Sequence, residues 1–186
     1  MRCIHLFLLR QSETSPLGEV EMIFATVGTQ LPFDRLVRAL DQWAAHNPKE
    51  EIFAQIGQAE YIPENIEWAR TLSADLFRSK LEQCHLVVAH AGMGTIISAA
   101  ELGKSVMVLP RRADLGEHRN DHQLATADQL RHFNGLEVAD DCGRLMQLLD
   151  ENLGTTPNSN PGNSSEFVVS DTLITRVRSF AGLQAS

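Results

Sequence analysis

Short apolar runs alternate along the chain with stretches in which apolar residues recur at helical spacing. Residues 22–27 (MIFATV) form the first run and stop at Gly28. Pro32, Phe33 and Asp34 then lead into Leu36, Val37, Leu40 and Trp43, one apolar stripe of a helix. Residues 51–56 read as a second strand, a broken region containing Pro63 follows, and residues 74–83 place Leu76, Phe77 and Leu81 on one helical face. The pattern then repeats. Residues 85–89 (HLVVA) read as a buried strand, Gly92 and Gly94 as a turn, and 95–102 as a small-residue helix ending at Gly103. Residues 105–109 (SVMVL) form the next strand, stopped by Pro110; a polar loop, a helix over 118–132, a strand over 136–139 and a helix over 143–152 complete the series. Strands alternating with helices predict a parallel, doubly wound α/β sheet of Rossmann-like type.

The ends of the chain behave differently. Residues 1–21 open with MRCIHLFLLR, whose apolar stretch is short and followed by no small-residue cleavage site, so they read as an extension ahead of the fold. Residues 153–165 are rich in Gly, Pro, Ser and Asn and read as a flexible linker. Residues 166–186 regain apolar positions between Phe167 and Leu183 and read as a tail that packs back or docks on a partner. The folded unit is therefore expected over 22–152, and 186 residues suffice for one well-buried core.

Charge narrows the range of partners. Sixteen Lys and Arg against 24 Asp and Glu leave a net charge of −8, which disfavours a surface built for nucleic acid. Cys3, Cys84 and Cys142 lack CxxC spacing, so neither a disulfide framework nor a zinc knuckle is indicated, and a reducing cytoplasm fits. No apolar run approaches the roughly 20 residues that span a bilayer.

The chemistry concentrates in three loops expected at the carboxyl ends of strands, where backbone N–H groups and helix N-termini face a ligand. The first holds Gly28 and Thr29. The second runs His90-Ala91-Gly92-Met93-Gly94-Thr95, whose glycines permit close approach of a diphosphate and whose threonine adds a hydroxyl donor. The third, residues 110–123, packs Arg111, Arg112, Asp114, Glu117, His118, Arg119, His122 and Gln123 directly after a buried strand. Glycines in such loops also serve plain turns, and Asp114 or Glu117 also suits a helix start; two adjacent arginines are less natural in that role. His118 and His122, four apart with Asp121 nearby, fall on one face of the expected helix. HExxH is absent, and hydrogen bonding to a polyhydroxy ligand suits them better than a metal.

HAGMGTIISAAELGK followed by LPRRADLGEHRNDHQLATA, with the opening ATVGTQLPFDRL, resembles the C-terminal, donor-binding domain of family 28 glycosyltransferases over roughly residues 22–149. The resemblance is strongest to split members, in which donor-binding and acceptor-binding halves are separate polypeptides, as in dolichol-linked oligosaccharide and bacterial exopolysaccharide synthesis, glucuronosyltransferases included. It implies one half of a GT-B fold. It further implies a UDP-sugar donor, no cofactor, and a membrane-associated partner subunit that presents a lipid-linked glycan acceptor and recruits the chain to the inner face of the membrane. By the same resemblance Gly28 and Thr29 face the diphosphate with Gly92, Met93, Gly94 and Thr95, His90 shapes the nucleotide pocket, and His122 and Gln123 contact the sugar. Relatives place a ribose-binding glutamate where this chain has Ser98; Glu101 lies a turn further, and both stay open for that role.

Sugar transfer from UDP builds negative charge on the departing diphosphate, so N–H donors and the cations Arg111, Arg112 and Arg119 are candidates for stabilising it. The general base is expected from the facing domain, with Glu117 and His118 as local alternatives. Two adjacent arginines also suggest a uronate, whose carboxylate a guanidinium grips bidentately. Two other readings compete. A non-catalytic nucleotide-sugar sensor or scaffold would use the same pocket, whereas an NAD-dependent oxidoreductase lacks its GxGxxG and its acidic residue after strand two.

Overall fold

A computed structural model describes residues 22–153; the extension at 1–21, nearly all of the expected linker and the tail at 166–186 lie outside the described residues. Six strands form one sheet: β1 Met22–Thr26, β2 Ile52–Gln55, β3 Glu67–Ala69, β4 Cys84–Ala89, β5 Ser105–Val108 and β6 Leu136–Val138. Their order is β3-β2-β1-β4-β5-β6, and every neighbouring pair is parallel. Five helices cover it: α1 Asp34–His46, α2 Ala74–Gln83, α3 Met93–Glu101, α4 His122–Leu130 and α5 Cys142–Asn152. The expected Rossmann-like α/β class is the one observed.

The two-residue period of a strand sorts its side chains onto both faces, and both faces are covered. Ile23, Ala25 and Val27 meet Leu36, Val37 and Leu40 of α1 and Leu145, Leu148 and Leu149 of α5. Phe24 points the other way, into a cluster with Leu81 of α2, Ile96, Ala99 and Ala100 of α3, and Ala127 and Leu130 of α4. Trp43 Nε1 donates to Asp150 Oδ1 at 2.7 Å and ties α1 to α5. Side-chain caps mark two helix starts: Ser73 Oγ accepts from Leu76 N, and Asp141 accepts from Arg144 N.

Three elements depart from the sequence reading by more than one residue. The broken region around Pro63 contains β3, a three-residue edge strand paired only with β2. The stretch leading to it is organised by Asp41 of α1, whose buried carboxylate accepts from Tyr61 Oη at 2.5 Å and from the backbone N–H of Glu64 and Asn65. Helix α3 starts two residues early, at Met93. Helix α4 starts at His122, not 118, because polar side chains before it satisfy backbone groups locally: Asn120 Oδ1 accepts from His122 N, and Asp121 Oδ1 accepts from Ala113 N. Among the described residues no helix is long and apolar enough to cross a membrane.

Candidate functional site

β1 feeds α1 on one face of the sheet and β4 feeds α3 on the other, so the connections diverge between two neighbouring strands and open a crevice at their carboxyl ends. A cavity of about 840 Å³ occupies it. Gly28, Thr29, Gln30 and Leu31 line one side, and Gly92, Gly94 and Thr95 the other. The N–H groups of Met93, Gly94 and Thr95 precede the first helical bond, Ile96 N to Gly92 O, and so lack helical acceptors. Those of Thr29, Gln30 and Leu31 likewise have no acceptor among the described residues. Unspent donors at Thr29–Leu31 and at Gly94 and Thr95 therefore border one cavity, with the positive end of α3 behind the second set.

The glycines have distinct tasks. Gly28 adopts φ +77°, and a Cβ there would lie 2.7 Å from His90 Cε1. A Cβ on Gly92 would lie 2.2 Å from His90 Nε2. Both glycines thus make room for the His90 imidazole, which is wedged between the two loops. Of the three glycines in these two loops only Gly94 faces open space, with nothing within 4 Å of an added Cβ, so its backbone is open to close approach. Burial, then the charge of Arg111 and His118, pushes the His90 pKa down to about 4, while the Thr26 backbone opposes the shift. The ring is neutral at pH 7, and its Nδ1 is buried without a partner.

The third loop departs most from expectation. Arg111 lines the cavity but is only 3% exposed, and its terminal nitrogens are taken by four backbone carbonyls: Val27 and Leu31 from one, Pro32 and Glu117 from the other, at 2.7 to 3.0 Å. The guanidinium stacks 4.6 Å from the centroid of Phe33. Its role is internal bracing of the β1–α1 loop, so a bidentate grip on phosphate or uronate is closed to those nitrogens. Arg112 is outside the cavity lining and pairs with Asp114 at 2.7 Å. Glu117 is also outside it, with both oxygens held by Arg35 and one shared with Arg112 N, which removes it as a local base.

His118 lines the cavity from a loop, whereas His122 is exposed on the first turn of α4 and outside it. The two do not share a helical face, and among the described residues no group of three or more His, Cys, Asp or Glu forms a metal-binding cluster. Gln123 lines the cavity, half spent: its Oε1 accepts from Arg111 N at 3.1 Å. Glu101 and Ser98 both border the cavity, and Met93 packs into the apolar cluster below. Arg119 is exposed and outside the lining.

Sequence reasoning missed two groups. Leu72, Phe77 and Leu102 add an apolar part to the cavity lining, which also includes Thr71 and Arg78. Gln55, at the end of β2, is 4% exposed and also borders the cavity. A polar residue closing an otherwise apolar strand was the available signal for Gln55.

Solved structures share this architecture. A kitacinnamycin glycotransferase superposes with TM-score 0.59 at 19% identity, over 94% of this chain and 43% of that one. The NMR structure of ALG13 superposes with TM-score 0.54 at 17% identity, over 80% of this chain and 92% of that one. In sequence, the human UDP-N-acetylglucosamine transferase subunit ALG13 is 28% identical over 122 residues, which is 60% of this chain and 10% of that protein. The chain therefore spans about a tenth of that relative's length. Residues 22–161 match the glycosyltransferase family 28 C-terminal domain, and the chain belongs to that family.

Proposed function

We propose that this chain is the donor-binding subunit of a UDP-sugar-dependent glycosyltransferase that transfers a hexosyl group to a lipid-linked acceptor. The observation that carries the reading is the pair of unspent N–H sets, at Thr29–Leu31 and at Gly94 and Thr95, on residues that line one cavity in a member of this family. A diphosphate fits those donors, and the apolar part at Leu72, Phe77 and Leu102 suits a base, 840 Å³ being ample for a nucleotide sugar. As the anomeric bond breaks, charge accumulating on the diphosphate meets fixed N–H dipoles that need no reorganisation. In this reading Gln123 and His118, which line the same cavity, contact the sugar.

With Glu117 committed to Arg35, the base comes either from His118, which lines the cavity, or from a facing domain, supplied by a membrane-associated partner that presents the acceptor at the cytoplasmic face. The hexose is set by contacts other than Arg111 and Arg112, so a glucuronosyl preference has to rest on other groups. Calorimetric titration with UDP and a panel of UDP-sugars, in chelator and without divalent metal, tests the pocket; binding of UDP is the expected result. Preference for NAD, or no UDP binding, refutes it. Transfer assays with membranes that contain or lack the partner test the split: robust transfer by the chain alone would refute dependence on a second subunit.

A further inference from the structure

The Gly28–Thr29 peptide is held by more contacts than a turn needs. Thr26 Oγ1 donates to Gln55 Oε1 at 2.5 Å and accepts from Gly28 N at 3.2 Å. The orientation of the Gln55 amide is thereby fixed, and its Nε2 donates to Gly28 O at 3.1 Å and to Arg70 O at 3.3 Å. On the far side of that carbonyl sits Gly57, where a Cβ would come within 2.7 Å of Gly28 O. Gly28 itself, at φ +77° and without a side chain, leaves the next peptide free to rotate between two orientations, so something else must select one. In a trans peptide the C=O and N–H point oppositely. With the carbonyl captured by Gln55, the Thr29 N–H is turned away from Gln55, on an exposed stretch that lines the cavity, and it has no acceptor among the described residues.

We infer that Gln55 is a positioning residue: its amide selects the Gly28–Thr29 peptide orientation in which the Thr29 N–H meets the donor's diphosphate. The inference rests on the donor-binding reading above. Gln55 touches no substrate in this account; it acts through one backbone dipole. Rotated by half a turn, that peptide would present a carbonyl oxygen to the anion and replace attraction by repulsion. Gln55→Glu is the sharpest perturbation, because a carboxylate keeps the shape, still accepts from Thr26 Oγ1, cannot donate to Gly28 O and would itself attract the Thr29 N–H. Gln55→Met removes the donor without adding charge.

The test compares UDP with uridine, by calorimetry on the full chain and each variant. Both variants should lose about ten-fold or more in UDP affinity, the equivalent of one hydrogen bond to a charged group, with uridine affinity changed less than about two-fold. Equal loss for both ligands, or unchanged UDP binding, would reduce Gln55 to a structural role and overturn the inference. A measurement on the unmodified chain is independent of whether the variants fold: the Thr29 amide resonance should shift on adding UDP or inorganic pyrophosphate and stay in place with uridine. A Thr29 amide unmoved by UDP that binds also overturns it. Absence of UDP binding by the unmodified chain would instead refute the donor reading on which it stands, and the inference with it.

Discussion

Gly92→Ala and Gly94→Ala, two residues apart in one motif, should move stability in opposite directions. At Gly92 the backbone is ordinary, with φ −94° and ψ 122°, so alanine suffers no torsional strain. The conflict is purely with His90: a Cβ would sit 2.2 Å from Nε2, where ordinary contact begins at 3.4 Å, so the ring must retreat by about 1.2 Å. Retreat toward the other loop is blocked, since the same imidazole lies against Gly28, whose own built Cβ comes within 2.7 Å of it. Overpacking of this kind costs about 1–3 kcal/mol. At Gly94, in the first turn of α3, nothing lies within 4 Å, and alanine should gain up to about 1 kcal/mol from reduced backbone freedom in the unfolded chain. At roughly 2–4 °C per kcal/mol for a chain of this size, the first variant should melt about 2–12 °C lower and the second up to about 4 °C higher. Differential scanning calorimetry reads both. A cycle with His90→Ala isolates the cause: without the ring, Gly92→Ala should become nearly neutral. Equal cost of Gly92→Ala in both backgrounds would refute the wedge.

Other outcomes follow from the same geometry. Gly94→Val should leave circular dichroism unchanged while UDP affinity falls beyond detection by calorimetry, because the side chain enters the cavity. Arg111→Met strands four carbonyls and should cost about 2–4 kcal/mol in urea unfolding, whereas Arg112→Ala, which loses an exposed pair, should stay within about 0.5 kcal/mol. His90 titrates near 4 when folded and near 6.5 when unfolded, so the unfolded chain takes up the proton first as pH falls. Stability should therefore decline through that window by up to about 3 kcal/mol, and His90→Gln should lack this part of the decline when urea midpoints are compared from pH 7 to 4.

Much of the fold is legible in the sequence because parallel strands buried on both faces appear as plain apolar runs, and the glycine loops lie where those runs stop. The site is less legible, for a physical reason visible in particular residues. Arg111 looks like a ligand-binding cation because its four carbonyl partners are invisible locally, three of them lying some 80 positions away. Glu117 looks like a free base because its partner, Arg35, is 82 residues distant. Gln55 and β3 escape for a related reason: one is a single polar residue, the other three residues at a sheet edge, and neither produces a periodic signal.

The bracing of Arg111 by carbonyls has an electrostatic consequence. Carbonyl dipoles solvate a guanidinium without cancelling its charge, and the nearby anion Glu117 is shared with Arg35, so this trio keeps one net positive charge beneath the crevice. The chain as a whole carries −8. An approaching dianion therefore meets repulsion at long range and attraction close in, and salt screens the first more fully than the second because distant exposed charges are separated by more than a Debye length. Moderate ionic strength should accordingly speed the association of nucleotide diphosphates with this chain, opposite to the slowing expected for a protein whose whole surface is basic.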